Sequence, residues 1–319
     1  MIYGNVEYRA AYEFAGGDAD FRDAYVALRD VGPGTVRVGQ FFEPFSLEQL
    51  TSSNNITFLE RALPTLFNQM RSSGGMYYGN MKDRNATWAI GVFRNVDDYG
   101  NSEGTPDGDD GEYTVTGRLT WAPVYRDSGE EVVHVGLGLS HRSAAGDALR
   151  FSQLNENHFG PRVLDTGTFA GDGYELVGLE SAWVHGPLAL QAEYMRAMTD
   201  TPDGADPEFD GYYLEASYFL TGEHRNYSPK SGAFSGITPM SNYGDEGGTG
   251  AWQVAARFST FDLQDEGIEG GKLDDFTLGI NWHLNPNTRV MLNYIDGRLD
   301  DDTSDGDIEA LAMRFQVNF

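Results

Sequence analysis

The stretch Ile308-Glu-Ala-Leu-Ala-Met-Arg-Phe-Gln-Val-Asn-Phe319 alternates without a break. Leu311, Met313, Phe315, Val317 and Phe319 fall on one side, and Ala310, Ala312, Arg314, Gln316 and Asn318 on the other. A period of two with one apolar face and one small or polar face is the signature of a half-buried strand. Chain termini usually fray, so a regular strand running to the last residue needs a neighbour that holds it. Two architectures supply one: the edge of a sandwich, or the closing strand of an outer-membrane barrel with its apolar side in lipid.

The same alternation recurs upstream. Val115, Gly117, Leu119 and Trp121 oppose Thr114, Thr116, Arg118 and Thr120; Val133, Val135, Leu137 and Leu139 oppose His134, Gly136, Gly138 and Ser140. Further cases are Leu188–Tyr194, Tyr212–Leu220, Trp252–Phe258, Phe276–Leu284 and Val290–Tyr294. The chain reads as about fourteen strands in up-and-down order with no second domain, an all-β pattern. Arg118, Arg257, Arg314, Glu193 and Glu215 occupy the small faces, where a dry core has no place for them. A transmembrane up-and-down antiparallel β-barrel resolves the conflict, with lipid on the apolar faces and a watery lumen on the polar ones. Trp121, Trp183, Tyr194, Tyr212, Trp252, Trp282 and Tyr294 lie near strand ends, where aromatic girdles sit.

Composition narrows the function. The 319 residues contain no cysteine, which excludes disulfides and thiolate metal sites. Lys plus Arg total 22 against 49 Asp plus Glu, a formal net charge of −27, so nucleic acid is not an expected partner. No apolar run reaches the roughly 18 residues of a helical span. No signal peptide precedes the first strand, so the sequence reads as a mature chain whose front is missing. The six histidines show no ligand spacing, and no Ser or Asp pairs with His at a strand end, so an enzyme is not expected.

The rhythm breaks once at length. Residues 42–73 have no clean alternation, yet carry Phe45, Leu47, Leu50, Ile56, Phe58 and Leu59, which need a wall to pack on. Ser46–Leu50 reads as a short helix. With the C-terminus periplasmic, the external connections are 13–20, 42–73, 95–111, 143–172, 198–210, 262–272 and 296–307. The periplasmic set is 31–34, 82–85, 123–131, 185–187, 222–249 and 285–288. Long acidic connections fall outside and short turns inside, as barrels require, with 222–249 the exception.

These features resemble a known family. The most specific stretch is Val38-Gly-Gln-Phe-Phe-Glu-Pro-Phe-Ser-Leu-Glu-Gln-Leu-Thr-Ser-Ser53, followed by Ile56-Thr-Phe-Leu-Glu-Arg-Ala-Leu-Pro64. Gly117-Arg-Leu-Thr-Trp-Ala-Pro123, Gln191-Ala-Glu-Tyr-Met-Arg196 and Asn285-Pro-Asn-Thr-Arg-Val-Met-Leu-Asn-Tyr294 add to it. Nearly end to end, the chain resembles the outer-membrane phosphate-selective porins of the O and P type. The resemblance implies a single barrel domain over 1–319, sixteen strands in the complete protein with two before Met1, and 42–73 as the third external loop, folded into the lumen. It also implies a homotrimer of three copies in a Gram-negative outer membrane, in contact with lipid and lipopolysaccharide.

The expected activity is passive diffusion of small ions and hydrophilic solutes. The alternatives are a phosphate- or anion-selective porin, or a plugged structural or adhesive barrel. Candidate residues of the constriction and lumen are Glu43, Glu60, Arg61, Arg71, Arg37, Arg118, Arg257, Arg289 and Arg314, with Arg9 a further basic candidate. The arginines are scattered over different strands, which favours weak selectivity over a tight phosphate site. No cofactor is expected. The external acidic loops are candidates for divalent cations, with weak calcium binding at Asp300, Asp302 and Asp305, although a solvated acidic loop is the plainer reading.

Overall fold

Alternation becomes strand after strand in the computed structural model of the chain, which describes residues 2–14, 20–68, 71–94, 113–144, 148–300 and 306–318. One antiparallel sheet of fifteen strands follows chain order throughout. Its first member is the two-residue strand Ile2–Tyr3. The others are β1 Val6–Glu13, β2 Asp20–Val31, β3 Gly34–Phe41, β4 Ser72–Met81, β5 Ala86–Arg94, β6 Thr114–Arg126 and β7 Glu131–Ser143. They continue as β8 Gly173–His185, β9 Leu188–Asp200, β10 Glu208–Phe219, β11 Ala251–Asp265, β12 Ile268–Asn285, β13 Thr288–Asp300 and β14 Gly306–Val317. Among the described residues no helix is long and apolar enough to cross a membrane.

The two faces differ as the alternation predicts. Val26, Val38, Ile90, Leu119, Leu139, Leu179, Leu214, Leu278, Ile280, Leu311 and Met313 are exposed on the outer face. Thr114, Thr116, Arg118, Gln191, Glu193, Arg257, Ser259, Thr277 and Asn281 are buried on the inner one. A band of exposed apolar residues backed by a buried polar face is inside out for a protein in water and correct for a strand facing lipid.

The inner face is buried because the segment between β3 and β4 lies against it. That segment bonds to β2 through Arg71 and Asp23, to β6 and β7 through Glu43, and to β9 through Leu47. It reaches β10 through Thr57, β12 through Thr57 O, and β14 through Glu60 and Asn54. Strands spaced about 4.8 Å apart would put the margins of a flat sheet this wide roughly 60 Å from each other. One loop touches both margins only because the sheet coils around it, as in a barrel.

Glycines make the seats. Gly138 on β7 and Gly178 on β8 are directly paired, and the Phe45 ring lies on both. A Cβ added at either would come within 2.7 Å of that ring. Gly279 on β12 likewise lies beneath Phe58. The small face read from His134, Gly136, Gly138 and Ser140 is thus the floor on which apolar residues of the inserted segment rest.

Several connections differ from the sequence reading. Residues 262–272 are not a loop: β11 and β12 run on to Asp265 and Ile268, joined by Glu266 and Gly267, both at positive φ. That is a two-residue hairpin turn, hidden because Glu is an unusual first turn residue. The 198–210 connection shortens similarly, since β9 extends to Asp200 and β10 begins at Glu208. Residues 143–172 carry two short antiparallel pairs, Ala148–Leu149 with Phe169–Ala170 and Ser152–Leu154 with Arg162–Asp165. Their Phe151 and Leu164 join an apolar cluster with Phe45, Leu63 and Phe67 of the inserted segment, so this connection also folds inward. The exceptional 222–249 stretch holds a small pair, Tyr227–Ser228 with Ala233–Phe234, packed beside Leu47. The 95–111 loop lies outside the described residues.

A side chain at Gly138 has to displace Phe45. Gly138→Val is expected to cost about 1–3 kcal/mol of stability, the usual penalty for overpacking. The outward neighbour Leu139, 51% exposed, tolerates Leu139→Val within about 0.5 kcal/mol. Apparent melting temperatures in detergent compare the two.

Candidate functional site in the lumen

Inside the barrel, the inserted segment is held by charge. Its helix α1, Leu47–Leu50, is four residues long and cannot stand alone. Ser46 caps it, accepting from Gln49 N at 3.1 Å. The amides of Leu47 and Glu48 donate to the Glu193 carboxylate of β9 at 2.9 and 2.8 Å. At the other end Arg61 donates to the carbonyls of Glu48, Gln49 and Thr51 at 3.0–3.3 Å. An anion at the first amides and a cation at the last carbonyls satisfy both ends of the helix in a buried setting.

The wall supplies matching partners. Arg142 on β7 reaches Glu43 at 2.7 Å, and Ser72 and Thr116 donate to the same carboxylate at 2.6 Å each. Arg257 on β11 contacts Glu48 at 3.2 Å and donates from Nε to Glu156 at 3.1 Å, with its guanidinium 4.4 Å above the Phe58 ring. Glu156 comes from the 144–172 connection, so one arginine ties two inward loops to the wall. Arg289 on β13 donates to Ile56 O at 2.8 Å and Ser53 O at 3.2 Å. Arg314 on β14 meets Glu60 at 3.0 Å. Arg118 on β6 pairs with Glu180 on β8 and also donates to Gly232 O, tying down the 222–249 stretch. Arg225 of that stretch bonds Thr57 at 2.7 Å and Glu215 at 3.0 Å.

What remains open runs along β1–β5. A cavity of about 420 Å³ lies between the base of the inserted segment and these strands, lined by Arg9, Asp23, Tyr25, Arg37, Tyr78 and Lys230 among others. Arg37 lies 4.1 Å over the Tyr25 ring and 4.8 Å over the Tyr78 ring, and donates to Tyr78 Oη at 2.8 Å. Arg9 and Arg71 share Asp23, at 3.1 and 3.0 Å, and Arg71 also covers the Phe42 ring. The aromatic faces hold the guanidiniums in place without neutralising them.

The nine residues singled out from sequence therefore divide. Arg37 stands on the open passage, and Arg71 sits at its margin beside Asp23. Glu60 and Arg314 form a half-exposed pair, 34% each. Glu43, Arg118, Arg257 and Arg289 are buried in the contact between segment and wall, and Arg61 closes a helix within the segment. Sequence reasoning missed Arg142, Glu180, Arg225, Lys230 and Glu156. Arg142 and Glu180 stand in the inward phase of β7 and β8 and were readable from the alternation; Glu156, in a connection, carries no such signal. Asp300 ends β13, while Asp302 and Asp305 lie outside the described residues. No metal-binding cluster is present among the described residues.

Burial pushes the Glu48 carboxyl from 4.5 up to about 7, against the pull of Arg257. A folded value above the unfolded one means that folding takes up a proton. The penalty from Glu48 is absent below the ordinary carboxylate value and grows as pH rises towards 7. Glu48→Gln is therefore expected to gain stability relative to the native protein as pH rises from about 5 to 7.5, read as a widening difference in apparent melting temperature. Arg257→Met leaves Glu48 and Glu156 buried without their guanidinium and is expected to cost about 3–5 kcal/mol, measured by urea unfolding in detergent.

Comparison with known proteins fits this architecture. The profile of the family described as phosphate-selective porin O and P matches residues 1–319. An uncharacterized protein of Caulobacter vibrioides is 32% identical over 300 residues, covering 91% of this chain and 58% of that protein. Porin O of Pseudomonas aeruginosa is 27% identical over 338 residues, covering 94% of this chain and 74% of its own length. The chain thus spans a little over half of the first relative and about three quarters of the second. Among solved structures, an anion-selective porin from Comamonas acidovorans superposes with a TM-score of 0.55 at 15% identity, covering 95% of this chain and 78% of that one. OmpT of Vibrio cholerae, in its trimer form, gives 0.53 at 12% identity, covering 99% and 86%. At these identities the solved structures establish the fold, and the profile match establishes the lineage: the chain belongs to the phosphate-selective porin O and P family, with the β-barrel fold of outer-membrane porins.

Proposed function

We propose that the protein is an outer-membrane porin through which small ions and hydrophilic solutes diffuse along the passage beside β1–β5. The segment 42–71 is its constriction. The observation that carries this reading is the division of the lumen. One part is filled by loops bonded to the wall, and the other is a cavity with charged side chains facing it. The barrel works as a homotrimer in this reading, as the trimer form of the Vibrio relative does.

Charge in the passage favours a mild preference for anions. Arg118 is neutralised by Glu180, and Asp23 offsets only one of Arg9 and Arg71, which leaves one charge of that pair together with Arg37 and Lys230 as the surplus. Arg37 has a carboxylate, Glu7, only at 4.0 Å. The phosphate-selective reading, carried by the family name, requires several unpaired cations converging on one point, whereas the lumen arginines beyond the passage are committed to holding loops. Bilayer recordings of the trimer across a KCl gradient are expected to give a small reversal potential of the sign that favours chloride. Arg37→Glu should move it towards potassium. A closed barrel with no conductance, or chloride current blocked by micromolar phosphate, would overturn the respective parts of this reading.

A further inference from the structure

At the foot of the inserted segment a second, smaller cavity of about 20 Å³ lies beside the turn Pro286–Asn287. Its walls include Ile56, Thr57, Arg225, Gln253, His283 and Arg289. A space of that size has room for one water molecule or one monatomic ion. Register brings the polar groups together. His283 on β12 is directly opposite Arg289 on β13. Gln253 on β11 is opposite Asn281, two residues before His283. Arg225 arrives from the 222–249 stretch.

Three features mark the occupant. First, no carboxylate side chain among the described residues lines the cavity, although the chain as a whole is strongly acidic. Second, Arg289 is 5% exposed, and among the described residues its partners are neutral oxygens: Ile56 O, Ser53 O and Gln316 Oε1. Elsewhere in this lumen the wall arginines meet a carboxylate, as Arg118, Arg142, Arg257 and Arg314 do. Third, two of the residues that line the cavity carry a buried side-chain nitrogen without a partner among the described residues. Asn281 donates to Gln253 Oε1 at 2.9 Å, which fixes that amide and leaves Gln253 Nε2 as a donor without an acceptor. His283 Nε2 is also buried and unpartnered, and it is a donor in the tautomer that carries the ring proton there. A buried cation without a counter-charge and buried donors without acceptors are both unfavourable, and one small anion relieves both.

We propose that this cavity binds a single monatomic anion of the chloride class, with Arg289, Gln253 and His283 as its principal holders. Its place is structural. The ion supplies the missing charge beside Arg289, whose Nη1 and Nη2 hold the carbonyls of Ile56 and Ser53, and so fixes the foot of the constriction segment. The site depends on the fold and not on the conduction reading, so it stands or falls separately from the proposed function. Water satisfies the donors but brings no charge, and bromide separates the two. Crystals of the full chain grown with bromide replacing chloride are expected to show an anomalous peak in this cavity. The peak should disappear in the double variant Gln253→Leu/His283→Phe. Without any mutation, replacing chloride by gluconate at constant ionic strength is expected to lower the apparent melting temperature. An ordered feature with no anomalous signal, or an empty cavity, together with a melting temperature indifferent to the anion, would overturn the proposal.

Discussion

Arg257 is buried between Glu48 and Glu156, and the arrangement of the lumen follows from that contact. A guanidinium on a strand facing inward needs a counter-charge once water is displaced. The strands alone do not provide one, because their inward acids answer other partners: Glu193 the amides of α1, and Glu180 the guanidinium of Arg118. Two loops bring the missing carboxylates in. Breaking the contact strands two acids and one cation, so the loops and the wall hold each other in place. The same logic repeats at Arg142 with Glu43 and at Arg225 with Glu215. Buried pairs of this kind add little net stability over an apolar core, but they specify position sharply.

This pairing also separates two populations of charge. The chain carries a formal net charge of −27, yet the open passage holds a small surplus of cations. Acids in the external connections, such as Asp203 and Asp206, are solvated and screened over a Debye length of about 8 Å at physiological salt. In the proposed function they act on approach, and Arg37 and Lys230 act on passage. Net charge alone points towards cations and the geometry of the passage points towards anions. In the proposed function the residues nearest the ion outweigh the rest, because the dielectric is lower and the distance shorter there.

Much of the fold was legible because period two is a strong signal when lipid takes one face and a polar lumen takes the other. Leu311 to Val317 and Val115 to Trp121 read correctly for that reason. The reading failed where turns use uncommon residues. Glu266–Gly267 reads as part of a loop from sequence, since a hairpin turn with Glu at positive φ leaves little trace in composition. The inserted segment is visible through an excess of apolar residues without alternation, and the short helix read over Ser46–Leu50 is present as Leu47–Leu50 with Ser46 as its cap. The site was less legible. Arg257 and Glu48 are 209 residues apart, and nothing local in either stretch reveals the other. Side chains on a strand can be assigned to a face from sequence; their partners on an inward loop depend on how that loop folds.

The absence of cysteine offers a direct test of how the lumen is divided. Single cysteines are placed at Tyr78, on the passage, and at Ser259, beneath the inserted segment and fully buried. A charged thiol reagent is then added during bilayer recording. Tyr78→Cys should react and change the current, while Ser259→Cys should stay silent until the protein is unfolded. Rapid modification at position 259 with none at position 78 would show that the ions run where the loops are said to sit.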